Sequence, residues 1–278
     1  MPVRIVQSKQ NARLKELRKA LALPGPSERG LVGIEGPNLI QEAVRADLRF
    51  GCVFVAQGSE RLVEPLDLPD RIEVLVMKKE LLDSALATES PQVMAALVEP
   101  PDWTWAHLLR KKTNGGALIV VLAGLQDPGN LGTILRSAEA FGADGVVCLP
   151  GTVNAWNPKA VRASAGSVFR VPLLHAGEQE TLEQLRESGV RVFATTVQGA
   201  QPADLVDLGE PVALIIGNEG NGVPAGLAVK ADGAITIPCP GPVESLNAAV
   251  ATSVLLYEAA RQRSLKSGSQ PQRRGGAR

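Results

Sequence analysis

Ile237-Pro238-Cys239-Pro240-Gly241-Pro242-Val243-Glu244-Ser245-Leu246-Asn247-Ala248-Ala249-Val250-Ala251 is the stretch on which the reading of this chain turns. A short β-type run, Ala234 to Ile237, enters a turn rich in Pro and Gly. The turn empties into Ser245, whose hydroxyl suits the N-cap of a long helix. Leu246, Ala249, Val250, Ser253, Val254 and Tyr257 then recur at helical spacing. Pro238, Pro240 and Pro242 carry no N–H. The donors that remain gather with the Ser245 hydroxyl and the Asn247 amide at a helix N-terminus, where polar ligands and developing charge are readily held. Taken alone, the stretch also fits a rigid strand–turn–helix corner with no chemistry.

Two other corners change that balance. Leu125-Gln126-Asp127-Pro128-Gly129-Asn130-Leu131-Gly132-Thr133-Ile134-Leu135-Arg136 begins with a tight turn and puts Asn130 at or near a helix start. Arg136 follows less than two helical turns later and can reach over the same opening. Ile215-Ile216-Gly217-Asn218-Glu219-Gly220-Asn221-Gly222 is rich in residues that tolerate positive φ, so this loop can fold into a nest of inward backbone N–H groups. Its spacing is G-x-x-G-x-G, not the dinucleotide G-x-G-x-x-G, and the chain has no G-x-x-x-x-G-K-[ST]. A Rossmann site and a P-loop are therefore disfavoured.

Outward from these corners, periodicity predicts two α/β units. In the first, a basic helix over 8–22 is capped by Ser8. Its Lys9, Arg13, Lys15, Arg18 and Lys19 form either a solvated face or a phosphate-facing one. Strands are expected over 31–35, 50–56, 72–76 and 95–98, with helices over 38–46 and 78–86. Glu99-Pro100-Pro101-Asp102 breaks the pattern and marks a boundary. The second unit opens with a helix over 103–112 and the turn Asn114-Gly115-Gly116. Ala117 to Ala123 is a continuous apolar run, as in a strand buried on both faces. Helices over 130–141, 158–168, 178–188 and 224–230 alternate with strands over 145–149, 190–196 and 212–216, which implies a mostly parallel sheet. Ligands of such sheets collect beyond the strand C-termini. The division is 1–99, a linker over 100–114, a catalytic domain over 115–263, and a polar, Gly-rich basic tail over 264–278 that cannot bury a core.

Composition narrows the class. The 278 residues are 45% apolar and 21% charged, and 29 basic residues balance 29 acidic ones, so any affinity for nucleic acid needs local basic patches. Cys52, Cys148 and Cys239 stand far apart, and with His107 and His175 they form no metal-ligand cluster. No run reaches the length of a membrane span. The N-terminus lacks the apolar core of a signal peptide, so a cytoplasmic location is expected.

The order and spacing of the three corners carry a resemblance. Asn130-x-Gly132-x-x-x-Arg136, then Ile216-Gly217-Asn218-Glu219-Gly220, then Ile237-Pro238 with Ser245-Leu246-Asn247 and Leu256-Tyr257-Glu258 resemble the SpoU (TrmH-type) RNA ribose 2′-O-methyltransferases of the SPOUT class. Trp156-Asn157-Pro158-Lys159-Ala160-Val161-Arg162-Ala163-Ser164-Ala165-Gly166-Ser167 is also similar to that family. The match covers about residues 115–260. Residues 8–98 resemble the ribosomal-protein-like substrate-binding domain of its ribosomal-RNA branch. Cys239 stands where Met is more usual in the family, and Val93 where Gly is often found.

The resemblance implies a deep trefoil knot, a homodimer with RNA across the subunit junction, and an S-adenosylmethionine pocket built by Ile216, Gly217, Asn218, Gly222, Ile237 and Leu246. It carries Arg136, Asn130, Glu219, Ser245 and Asn247 over as the catalytic set. Arg136 is expected to clamp a phosphate and orient the 2′-hydroxyl rather than act as a base, because a guanidinium stays protonated in proteins. Glu219 is expected to accept the proton or to orient its neighbours. Lys159, Arg162, Arg170, Lys9 and Arg13 are the expected RNA contacts. The expected substrate is 23S ribosomal RNA, at a guanosine or uridine. The alternatives are transfer RNA, an antibiotic-resistance methylation of ribosomal RNA, a non-catalytic RNA-binding protein, or a small-molecule α/β enzyme, which the lack of a cofactor fingerprint or metal cluster disfavours.

Overall fold

The computed structural model describes residues 2–266 apart from 87, 89, 111–115, 198 and 244. The expected turn at Asn114-Gly115 and the tail beyond Lys266 lie outside the described residues. The chain separates into two compact units, Met1–Asp102 with Asn154–Arg170, and Trp103–Val153 with the chain from Val171 onward.

The first unit runs β1 (Val3–Val6), α1 (Ala12–Ala22), β2 (Val32–Glu35), α2 (Pro37–Arg45), β3 (Phe50–Ala56), β4 (Val74–Met77), α3 (Lys79–Asp83) and β5 (Met94–Val98). Its sheet has the order β1-β4-β3-β5-β2, parallel through β3 and antiparallel beyond it. Leu14, Leu17 and Leu21 of α1 are buried with Phe54, Leu75, Met77 and Leu97, as the leucine spacing predicts. Gly33 lets α1 approach β2, since a Cβ there would lie 2.7 Å from Cγ of Leu21. The cap differs from expectation. Asn11 Oδ1 accepts from the N–H groups of Arg13 and Leu14, at 3.0 and 3.2 Å. Ser8 Oγ instead accepts from Gln10 N in the preceding turn. Both residue types are good caps, and only the backbone path selects between them.

The second unit starts with the short α4 (Trp105–Leu108), then β6 (Leu118–Ala123), α5 (Pro128–Ala140) and β7 (Gly145–Cys148). A Cβ on Gly145 would stand 2.4 Å from Cγ of Leu108, which explains glycine where α4 crosses β7. α6 (Pro158–Ser164) falls in the segment that packs with the first unit, although the expected division placed it within 115–263. The helix stops at Ser164 rather than continuing to 168, because Ala165 and Gly166 take φ of +49° and +90°. Then come β8 (Leu173–His175), α7 (Glu178–Glu187), β9 (Arg191–Thr195), β10 (Gln201–Pro202), β11 (Val212–Gly217), α8 (Ala225–Ala228), β12 (Gly233–Thr236) and α9 (Ala248–Lys266).

Every pairing in this sheet is parallel, in the order β10-β12-β9-β11-β6-β7-β8. β6 and β11 are buried along their whole length at its centre, which accounts for their unbroken apolar runs. α9 continues through Lys266, so residues 264–266 expected in the tail are helical. Its cap is Asn247, not Ser245: Asn247 Oδ1 accepts from Ala249 N at 2.9 Å and Val250 N at 3.3 Å. The buried face of α9 is Ala249, Thr252, Leu255, Leu256 and Ala259, while Val250, Val254 and Tyr257 are 49, 40 and 56% exposed. Apolar side chains cover more than one stripe of this helix, so spacing alone does not choose the inward one. At its far end Arg263 donates to the carbonyls of Gly116, Ala117, Leu208 and Glu210.

Candidate active site

The three corners meet at the C-terminal end of the parallel strands, around β6, β11 and β12. At the first, Asp127 caps α5 by accepting from Asn130 N at 2.8 Å, with Pro128 in the opening turn. Asn130 therefore sits in the first turn, and its amide is free to point elsewhere. At the second, the chain closes a tight hairpin after β11: Asn218 and Gly222 exchange both backbone hydrogen bonds, at 3.0 and 2.9 Å. Gly220 N donates to Asn218 Oδ1 at 2.8 Å. The nest that this loop could fold into is not what forms, because the N–H groups of Asn218, Gly220 and Gly222 are consumed inside the hairpin. Asn218 Nδ2 donates to Gly124 O at 2.8 Å, so this side chain ties the second corner to the first.

A relay of side chains joins all three corners. The helix N–H groups claim Asn247 Oδ1, so its Nδ2 donates to Asn130 Oδ1 at 3.1 Å. Asn130 Nδ2 then donates to Glu219 Oε1 at 2.9 Å. Gln126 N points at Glu219 Oε2 from 3.5 Å. Each amide has only one orientation that fits this sequence of donors and acceptors, since a carboxylate can only accept. Partial burial raises the Glu219 pKa, but the Asn130 amide and the N–H groups of Glu219, Gln126 and Asp127 outweigh it and hold the carboxyl below its ordinary value. Glu219 is thus an anion fixed in place, with its oxygens engaged.

Beside the relay lies a cleft of about 560 Å³. One wall is the hairpin with Ile216 and Gly217, another is Ile235 to Ile237, and a third is Leu246, Ala248, Ala251 and Leu255 at the start of α9. Thr195 and Thr196 at the end of β9 complete it. Gly217 is required by contact: a Cβ there would stand 1.9 Å from the Gly222 carbonyl carbon. Ile216, Gly217, Asn218, Glu219, Gly222, Ile237, Ser245 and Leu246 are thus gathered around one cavity. The Thr195-Thr196 wall was missed, although a polar pair ending a predicted strand is a usable signal. Asp127 was missed as a cap because Asn130, also a good cap, stood nearby.

Arg136 projects from α5 roughly 9 Å along the axis from Asn130. It is exposed and forms no hydrogen bond or ion pair among the described residues. The other expected RNA contacts lie in the first unit. Lys9, Lys159 and Arg162 are exposed. Arg170 is paired with Glu42 at 2.7 Å and Arg13 with Glu16 at 3.3 Å. Cys52 and Cys148 are buried, which pushes each thiol up to about 12. Among the described residues no group of His, Cys, Asp and Glu could hold a metal ion, and no helix is long and apolar enough to cross a membrane.

Residues 117–257, which contain all three corners, match the SpoU rRNA Methylase family. The chain belongs to that family. As a SpoU protein it is an RNA methyltransferase. The 23S rRNA (guanosine(2553)-2′-O)-methyltransferase RlmP of Bacillus subtilis is 32% identical over 252 residues, covering 91% of this chain and 97% of that protein. An AdoMet-bound rRNA methyltransferase from Sinorhizobium meliloti superposes with a TM-score of 0.79 at 29% identity, covering 93 and 98% of the two chains. The SpoU methyltransferase AviRb from Streptomyces viridochromogenes, in complex with AdoMet, gives 0.80 at 28% identity, covering 94 and 100%.

Proposed function

We propose that this SpoU chain transfers the methyl group of S-adenosylmethionine to the 2′-hydroxyl of one ribose in 23S ribosomal RNA, at a guanosine or uridine. The observation that carries the reading is the Asn247–Asn130–Glu219 relay, which holds three separate corners at the rim of one cleft. The residues present fit the donor. A volume of about 560 Å³ lies within the range of roughly 300–1,000 Å³ for small-molecule sites. Ile216, Ile237, Leu246 and Leu255 offer apolar walls for an adenine, and Thr195, Asn218 and Ser245 are polar groups on the same lining. When bound, S-adenosylmethionine supplies a methyl carbon activated by a positive sulfur.

The reaction would be a direct displacement: the ribose oxygen would bond to the methyl carbon as the carbon–sulfur bond breaks, the neutral thioether would leave, and the hydroxyl proton would pass to water. The protein's share is alignment and charge placement. Asn130 and Asn247 hold the corners in register, and the exposed Ser245 hydroxyl is available to the ribose. Arg136, which has no partner among the described residues, clamps a phosphate and orients the 2′-hydroxyl. The lowered pKa and engaged oxygens of Glu219 favour an orienting role over that of a base. Lys9, Lys159 and Arg162 contact RNA phosphates. Arg13 and Arg170 do so by exchanging their carboxylate partners.

Two further elements belong to the proposal. The exposed Val250, Val254 and Tyr257 stripe of α9 is the apolar face of a homodimer. The deep trefoil knot is proposed from the likeness of the fold to SpoU methyltransferase structures. Residues 1–99 serve as the RNA-binding domain, and the enzyme works in the cytoplasm. Mapping 2′-O-methyl nucleotides in 23S RNA from cells with and without the protein tests the substrate. One nucleotide unmethylated without it is expected; an unchanged map of 23S RNA beside a lost transfer-RNA methyl would refute the substrate assignment.

A further inference from the structure

Gly124 lies between β6 and the first corner with φ of +78°, and both of its backbone polar groups are held by side chains from other segments. Its N–H donates to Thr152 Oγ1 at 3.1 Å. Its carbonyl accepts from Asn218 Nδ2 at 2.8 Å. The Thr152 hydroxyl spends its own proton on Leu122 O at 2.9 Å, so its direction is fixed and its lone pair faces Gly124. The turn that carries Thr152 adds a backbone hydrogen bond from Val153 N to Leu125 O at 2.8 Å. Gly151 stands close enough that a Cβ on it would lie 3.7 Å from Gly124 Cα. The start of the first corner is therefore clamped from both sides, by the turn after β7 and by the hairpin after β11.

We propose that Thr152 is a positioning residue for methyl transfer: with Asn218 opposite, its hydroxyl clamps Gly124 and so fixes the corner that carries Asn130 and Arg136. The inference rests on the methyltransferase reading above. Its consequence is selective. Thr152 and residues 124–136 do not line the donor cleft, whose walls come from the ends of β9, β11 and β12 and from the start of α9. Loosening the clamp shifts the acceptor-side groups against the donor while leaving the donor's own walls in place. Misplacement of about 1 Å at a reacting centre costs up to about a hundredfold in rate. Loss of one hydroxyl that pairs two backbone groups is a smaller disturbance, and about tenfold is expected.

Thr152→Val removes the hydroxyl and keeps the shape. Full-length wild type, Thr152→Val and Thr152→Ser are compared for kcat and KM on ribosomal RNA, with S-adenosylmethionine affinity measured separately by calorimetry. Thr152→Val should lower kcat about tenfold with donor Kd within about twofold, Thr152→Ser should restore most of the rate, and Gly124 N–H exchange should speed up only in the Val variant. Thr152→Ala gives the same reading should the Val variant fail to fold. A wild-type kcat in a hydroxyl-free variant of an active enzyme overturns the inference alone. A parallel loss of donor affinity that Ser does not rescue also overturns it, by making Thr152 merely structural. Absence of methyl transfer by the wild type overturns the parent reading with it.

Discussion

Replacing Gly217 with alanine tests the donor cleft most severely. The added Cβ would stand 1.9 Å from the Gly222 carbonyl carbon, 2.1 Å from Val223 N and 2.3 Å from Gly222 O, all of them backbone atoms. Ordinary contact begins near 3.4 Å, so the strand and the returning limb must part by about 1.5 Å. β11 is locked between β6 and β9, which leaves the limb at Gly222 as the part that moves. Its two hydrogen bonds with Asn218 then stretch or break. Overpacking costs about 1–3 kcal/mol, and each lost backbone hydrogen bond about 1 kcal/mol. The local cost is thus on the order of 2–5 kcal/mol, borne by the conformation that binds the donor. At about 1.4 kcal/mol per decade, calorimetric titration with S-adenosylmethionine should show Kd weakened at least thirtyfold. Global melting should fall by less than that cost implies, because the hairpin can open locally. An affinity within threefold of wild type would refute the reasoning that this approach shapes the cleft.

Four other outcomes are expected. Arg136→Ala should abolish turnover while leaving donor affinity nearly intact, and near-normal turnover in a methyl-transfer assay would remove Arg136 from the mechanism. Arg263→Met deletes a charged donor to four carbonyls and should destabilise the chain by about 2–4 kcal/mol in urea titration, with an unchanged midpoint counting against the clasp. The Glu219 carboxyl titrates below its ordinary value of 4.5, so the stability it lends is present above that pH and is lost as pH falls through the folded-state value. Melting curves of wild type and Glu219→Gln should accordingly differ near neutrality and converge in acid, and a gap that widens in acid would reverse the sign. Val254→Arg should convert a dimer to monomer in light scattering at constant fold, and an unchanged mass would exclude that face of α9 as the interface.

The parts of this protein that were legible in sequence are those in which local chemistry and fold agree. β6 and β11 read as doubly buried strands because their apolar runs are continuous, and they are the centre of a parallel sheet. The glycine corners read as a site only through the family resemblance that their order and spacing carry, since each taken alone also fits a corner with no chemistry. What was not legible depends on the path of the chain in space. Ser8 and Ser245 are as good caps as Asn11 and Asn247 until the backbone fixes which residue is half inside the helix. The inward face of α9 is set by α5 and β11, not by its own sequence. The short β8 and β10 carry too few residues for a period to register, and β1, whose burial is confined to Val6, shows no inward-facing alternation. No spacing rule connects Asn218 to Gly124 or Asn247 to Asn130, since each pair is distant in sequence and meets only when the corners fold together.

The most direct measurement is transfer of labelled methyl from S-adenosylmethionine to ribosomal RNA by the purified full-length chain, followed by digestion to nucleosides. Label should appear in a single 2′-O-methylated nucleoside and should vanish with Arg136→Ala. Label in a base-methylated nucleoside, or none at all from a protein that binds both the RNA and the donor, would contradict the account.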